Sequence, residues 1–219
     1  MKRNTGSTAA ATAACLMTAF AAGAVAQTMP GPGGETTAVV QVLGGIATFE
    51  AGTNIPAINV HGKSASLAGR AQVRHSGDVI TIEQMEATLP VKTLSTGMGL
   101  RDEHMRKYVF TAGDGDAPDL RYTGDRADCS AARGGESICT VSGRLAIRGT
   151  ERPFVITLKV KKTGDAYRAA GDGTVKLSTY GIARPSQLGV TTTDDVQLHL
   201  EFTAKAAGGQ LLARSGEVR

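Results

Sequence analysis

The stretch Val196-Gln197-Leu198-His199-Leu200-Glu201-Phe202-Thr203 alternates apolar and polar residues over eight positions without a slip. Successive side chains of an extended chain point to opposite faces, so this spacing predicts an antiparallel strand with one dry face and one wet one. The same period recurs upstream. In Leu67-Ala68-Gly69-Arg70-Ala71-Gln72-Val73-Arg74 and in Val141-Ser142-Gly143-Arg144-Leu145-Ala146-Ile147-Arg148 the odd positions are apolar or small and most of the others are polar. Phe154, Ile156, Leu158 and Val160 form a further inward row, opposed by Thr157, Lys159 and Lys161. A single sheet of such strands would leave its apolar side in water. The strands must therefore close into a sandwich or a barrel. Strands are expected over 38–50, 54–62, 65–76, 78–91, 118–129, 138–148, 153–162, 166–177 and 194–204. Charged outward faces, with four Tyr, five Phe and no Trp in the chain, exclude an outer-membrane barrel, which needs a lipid-facing apolar band and aromatic girdles.

The ends read differently from the middle. Residues 1–26 have the form of an export signal: Lys2 and Arg3, an Ala-rich apolar run through Leu16, Phe20 and Val25, then Ala24-Val25-Ala26 as a small-x-small cleavage site before Gln27. The Pro/Gly-rich residues 27–37 read as a flexible leader, 38–205 as one barrel domain and 206–219 as a tail. Loss of Lys2 and Arg3 lowers the formal charge from +4 to +2, and the basic residues are scattered along wet strand faces. Nucleic acid is thereby excluded as a partner, since it calls for a clustered basic stripe. No apolar run is long enough for a transmembrane segment in the mature chain. Cys129 and Cys139 remain after cleavage. In an exported protein such a pair reads as a disulfide, here stapling a hairpin turned at Gly134-Gly135.

One segment departs from strand rhythm. Gly97 to Phe110 places Leu100, His104 and Lys107 or Tyr108 on one side at helical spacing, so a short helix near 98–108 links two strands. Gly149 to Pro153 reads as a turn, with Pro153 at the start of the next strand. Chemistry finds little support. There is no G-x-S-x-G nucleophile elbow. His61, His75, His104 and His199 sit at no ligand spacing, and Asp114, Asp116 and Asp119 lack the glycine and distant glutamate of a calcium loop.

Four motifs in order resemble the YceI-like family: Leu94-Ser95-Thr96-Gly97, then Arg101-Asp102-Glu103-His104-Met105, then Leu145-Ala146-Ile147-Arg148-Gly149-Thr150-Glu151-Arg152-Pro153, then Tyr180-Gly181-Ile182 before the final strand. The likeness spans about residues 40–205. It implies an all-β, up-and-down antiparallel, eight-stranded lipocalin-like barrel with a helical insertion. It also implies a protein that binds an amphiphilic lipid (a polyisoprenoid, quinone or fatty acyl chain); it does not imply catalysis, and no enzyme is expected. Where relatives carry a basic and an acidic residue before the aromatic-Gly motif, this chain has Leu177 and Thr179.

On that reading the lipid tail lies among Leu145, Ile147, Phe154, Ile156, Leu158, Val196, Leu198, Leu200 and Phe202. Arg101 and His104, three apart on the helix, either meet its head group or anchor the helix, with Asp102 orienting one of them. Neither metal nor covalent cofactor is needed. Two other readings stand beside it. One is an envelope protein-interaction barrel with a filled interior. The other is an enzyme on isoprenoid or amide substrates, with perturbed ionisable groups around Arg101 and His104. A homodimer stays open.

Overall fold

The computed structural model describes residues 35–207 apart from 114, 116 and 132. The expected export signal and most of the leader and tail lie outside these residues. The strands are β1 (Thr36–Thr53), β2 (Val60–Ser64), β3 (Ala68–Ser76), β4 (Val79–Leu89), β5 (Leu120–Gly124), β6 (Ala127–Asp128), β7 (Glu136–Ile147), β8 (Thr150–Thr163), β9 (Ala166–Lys176), β10 (Ser186–Gln187) and β11 (Val190–Ala206). All pair antiparallel with their neighbours in the order β1-β3-β4-β5-β7-β8-β9-β11. β11 then pairs with β1 from Val40↔Ala206 to Thr53↔Thr192 and closes the barrel. Closure leaves no unpaired sheet edge in the main wall.

The inward rows are where the period put them: Val141, Leu145 and Ile147 on β7 and Phe154, Ile156, Leu158 and Val160 on β8 are buried. β1 adds a feature that simple alternation cannot supply. A bulge between Val42 and Gly44 inserts one residue, so inward positions change from Val40 and Val42 to Ala47, Phe49 and Ala51. β1 is long enough to pair with β3 through its first half and with β2 through its second.

Three expectations are corrected. Residues 54–59 form a loop rather than strand, because Thr53 Oγ1 donates to the carbonyls of Ile55 and Ile58 and folds the chain back on itself. The turn expected at Gly149 to Pro153 is only two residues, Arg148 and Gly149, both left-handed (φ 55° and 74°), the geometry that matches strand twist in a tight hairpin. Pro153 accordingly lies inside β8, where the ladder to β9 begins only at Thr157 and one edge still tolerates a residue without an N–H. The hairpin β10–β11 did not figure in the expected set of strands.

Cys129 and Cys139 are disulfide-bonded. Cys139 is fully buried, and Gly134 and Gly135 carry the left-handed turn between the two. Replacing both cysteines by alanine should cost about 2–3 kcal/mol, the chain-entropy value for a short loop. Urea unfolding of parent and variant measures it; equal midpoints would contradict the estimate.

Candidate ligand cavity

Closed antiparallel topology sends alternate connections to alternate ends. The turns 77–78 and 164–165 and the disulfide hairpin sit at one end, and the 54–59 loop, the 90–119 insertion, the Arg148–Gly149 turn and the 177–189 segment at the other. The first end is solid. His75 on β3 and Tyr167 on β9 are hydrogen-bonded across the barrel and stack with ring centroids 5.6 Å apart. Burial first, and then Lys162, hold the His75 pKa below its ordinary value. Val73, Ile80, Cys139 and Val160 pack the space around them.

The other half is hollow. A cavity of about 990 Å³ opens at the insertion end. Leu145, Ile147, Phe154, Ile156, Leu158, Val196, Leu198, Leu200 and Phe202 all line it, as do Ala47, Phe49, Met85 and Tyr122. Two glycines of the wall, Gly62 on β2 and Gly173 on β9, add no volume to it. They are covered by neighbours: a Cβ on Gly62 would stand 2.3 Å from the Phe49 ring and one on Gly173 2.6 Å from Phe154. Tyr122 lies over Gly143 in the same way and donates its hydroxyl to the Val141 carbonyl at 3.1 Å. Burial, with a smaller effect of Asp125, pushes its pKa up to about 12, so it stays a neutral donor.

The insertion is built from its hydrogen bonds. Lys63 and Ser95 exchange backbone bonds of 2.9 Å, which fixes the insertion to β2, and helix α1 (Gly99–His104) follows. Asp102, only 7% exposed, turns away from the cavity. Its carboxylate accepts the Thr96 amide at 2.7 Å and the hydroxyls of Thr96 and Ser95. Burial opposes its charge, but those donors outweigh burial and hold its pKa below the ordinary carboxylate value. Arg101 donates to the Thr96 hydroxyl and carbonyl, each at 2.8 Å. Thr96 thus links Arg101 to Asp102, and Asp102 orients neither Arg101 nor His104 by direct contact.

Arg101 and His104 line the cavity mouth, as their shared face requires. His104 meets Tyr108 edge to face, 5.6 Å between centroids. α1 then widens into a π-helical turn, Met105–Phe110, which returns Phe110 to the core. Leu177 also faces the cavity, and the Thr179 carbonyl accepts from Arg152 at 2.9 Å. His61 and His199 lie apart from the mouth, against Glu50 and Asp172 on the outer wall. Among the described residues no group of three or more His, Cys, Asp or Glu could hold a metal ion, and no helix is long and apolar enough to cross a membrane.

The model of the YceI-like domain matches residues 39–204, the closed barrel with its insertion. The chain belongs to the YceI-like family. Solved structures resemble it at low sequence identity. A polyisoprenoid-binding domain from Saccharophagus degradans, implicated in plant cell wall breakdown, superposes with a TM-score of 0.56 at 12% identity, covering 77% of this chain and 98% of that one. Burkholderia cenocepacia BcnA gives 0.51 at 14%, covering 73% and 95%. A mutant CJ YceI protein gives 0.52 at 18%, covering 68% and 86%. These likenesses concern the YceI-like fold. No curated protein matches the chain.

The sequence pointed to the nine apolar wall residues and to the mouth pair. It missed Thr96 as the hub of the insertion, although Thr96 stands in the first motif. It also missed Phe49, hidden behind the β1 bulge, and the His75–Tyr167 plug, whose members are distant in the chain.

Proposed function

We propose that this YceI-like protein is exported to the periplasm or beyond and holds an amphiphilic lipid, with the tail in the cavity and the head beside Arg101 and His104. One observation carries the reading: the barrel is packed at one end and hollow at the other, and the hollow half is walled by apolar side chains. Such a shape suits a long apolar chain with a polar end. Each buried methylene contributes about 0.8 kcal/mol, so useful affinity needs no strong polar contact. A polyisoprenoid is the first class to try, since a domain of this fold is described as polyisoprenoid-binding; quinones and fatty acyl chains have the same chemistry. The Ala24-Val25-Ala26 site and the disulfide support export.

The filled-barrel alternative is disfavoured by the cavity itself. An enzymatic role is disfavoured because the ionisable groups of displaced pKa around the cavity are held by the wall itself: Asp102 by Thr96 and Ser95, Asp194 by Ser178, and Tyr122 as a donor to the Val141 carbonyl.

Native mass spectrometry of the purified protein, followed by organic extraction and by incubation with a detergent-solubilised prenol, tests the reading. A bound lipid or one-to-one uptake is expected; a barrel that never carries or accepts any isoprenoid, quinone or fatty acyl chain overturns it. Ala47→Phe provides the control. Ala47 is buried on the cavity wall, opposite Leu200 on β11 and Ser64 on β2, and the added ring enters the void rather than the packed base. Expelling as few as two methylenes lowers prenol affinity about tenfold. The thermal midpoint should stay within a few degrees, roughly the effect of 1 kcal/mol.

A further inference from the structure

The open end carries apolar side chains turned toward solvent. Ile55 and Ile58 stand on the 54–59 loop, Met98, Leu100 and Tyr108 on the insertion, and Leu188 at the tip of the β10–β11 hairpin, and all are exposed. Leu188 is the extreme case. It is 97% exposed in a left-handed conformation, φ 51°, where glycine or asparagine would sit without strain. Nothing inside the fold repays that cost.

The rim is rigid as well as apolar. Asn54 donates its amide to the Gly189 carbonyl at 3.0 Å and accepts the Thr191 N–H at 2.8 Å, which locks the 54–59 loop to the hairpin. Ile55, Ile58 and Leu188 are thereby held on one side of the opening. Across it, Lys107 lies 5.4 Å over the Tyr108 ring, with Arg106 beside it. Arg184, in the segment leading into β10, also borders the mouth. Of the acids at this end among the described residues, Asp102 is taken up by Thr96 and Ser95, Asp194 by Ser178 and Glu151 by Arg144, which leaves Glu103 on α1 and Asp119 beside β5, against the cations Arg106, Lys107, Arg121 and Arg184. Apolar tips interspersed with net positive charge complement an anionic lipid surface, in which aromatic and aliphatic side chains enter the interface and cations meet the head groups.

We propose that the protein docks mouth-first on an anionic phospholipid bilayer, inserting Leu188, Ile58 and Tyr108 and setting Lys107 and Arg184 against the head groups. The inference rests on the lipid-carrier reading for its purpose: a mouth pressed to a bilayer passes an apolar chain into the cavity without exposing it to water. A bilayer fits better than a protein partner because the apolar side chains ring an opening instead of forming one continuous patch.

Flotation with vesicles of phosphatidylethanolamine and phosphatidylglycerol, against vesicles of phosphatidylcholine alone, tests it. The parent should float with the anionic vesicles and much less with the neutral ones. Leu188→Asn relieves the backbone while removing the apolar tip, so its thermal midpoint should hold or rise while vesicle binding falls by about tenfold or more, the effect of losing a buried leucine side chain. Parent and variant share one N-terminus, so an apolar leader cannot account for a difference. A parent that ignores anionic vesicles, or an asparagine variant that floats as well as the parent, overturns the proposal. Prenol uptake from detergent, measured without vesicles, separates the two readings. A protein that loads from detergent yet ignores vesicles sinks the docking alone, whereas one that floats but never loads supports docking and sinks the carrier.

Discussion

Gly143→Ala should destabilise the barrel by about 3 kcal/mol, the upper part of the range for overpacking a close-packed interior. A Cβ at this position would stand 2.3 Å from the Thr123 carbonyl oxygen and 2.8 Å from the Gly124 Cα, both backbone of β5, and 2.8 Å from the Tyr122 hydroxyl. Backbone cannot swing aside as a side chain can. β7 and β5 would have to part along the pairs Thr123↔Arg144 and Gly124↔Gly143. Gly62→Ala makes the informative comparison: its Cβ would also meet an atom at 2.3 Å, but that atom belongs to the Phe49 ring, which borders the void and can turn into it. Thermal unfolding of the two variants should separate them by roughly 5 °C or more, on the usual conversion of free energy to midpoint for a domain of this size. Equal midpoints would mean that the β5–β7 contact yields more easily than a close-packed strand pair should.

Asp102→Ala is expected to cost about 2–3 kcal/mol and to loosen the mouth. Removing the carboxylate deprives the Thr96 amide, the Thr96 hydroxyl and the Ser95 hydroxyl of their acceptor. The lost acceptor is charged, for which one hydrogen bond contributes about 1.5–3 kcal/mol, and water meets part of the loss because Ser95 is exposed and Thr96 half-buried. Thr96 also holds Arg101, so the side chain nearest the proposed head group shifts as well. The pH dependence has a definite sign. The folded-state pKa of Asp102 lies below its unfolded value, so its contribution is complete above the ordinary carboxylate value of about 3.9 and is lost as pH falls through the folded value. Asp102→Asn should therefore lower stability at neutral pH and flatten the part of the acid unfolding curve below about pH 4. An unchanged acid limb would show that other carboxylates carry that loss.

His199 titrates in the opposite sense. Hydrogen bonds to Asp172, at 2.7 Å, and to Glu201 raise its pKa. Its contribution is present below the unfolded value of about 6.5 and is lost as pH rises through the higher folded value. It sits partly exposed on the outer wall, where ion pairs are weak, so it leaves the neutral-pH behaviour of the barrel to the packing.

Much of this was legible in residue order because much of it is local. Alternation at Val196 to Phe202 fixes which side chains share a face, whatever the strand later pairs with. Gly134-Gly135 between two nearby cysteines fixes a staple, and Arg101 to Tyr108 fixes a helical interruption. Alternation misleads at β1, where the bulge at Val42 and Gly44 changes the inward parity and moves Phe49 onto the cavity wall. It misled again at residues 54–59, expected as strand, where the carbonyls of Ile55 and Ile58 bond to a threonine hydroxyl instead of a neighbouring strand.

Residue order alone determined the faces of the strands, the cross-link and the break in strand rhythm, since each depends on neighbours a few positions apart. Tertiary structure decided that the tube is plugged at His75 and Tyr167 and empty above Leu158. Those outcomes depend on which side chains meet across the barrel from strands more than 90 positions apart in the chain, 92 for the plug itself. Whether an inward apolar row fills its space or borders a void is a property of the closed wall, where neighbouring side chains occupy the places that glycines leave.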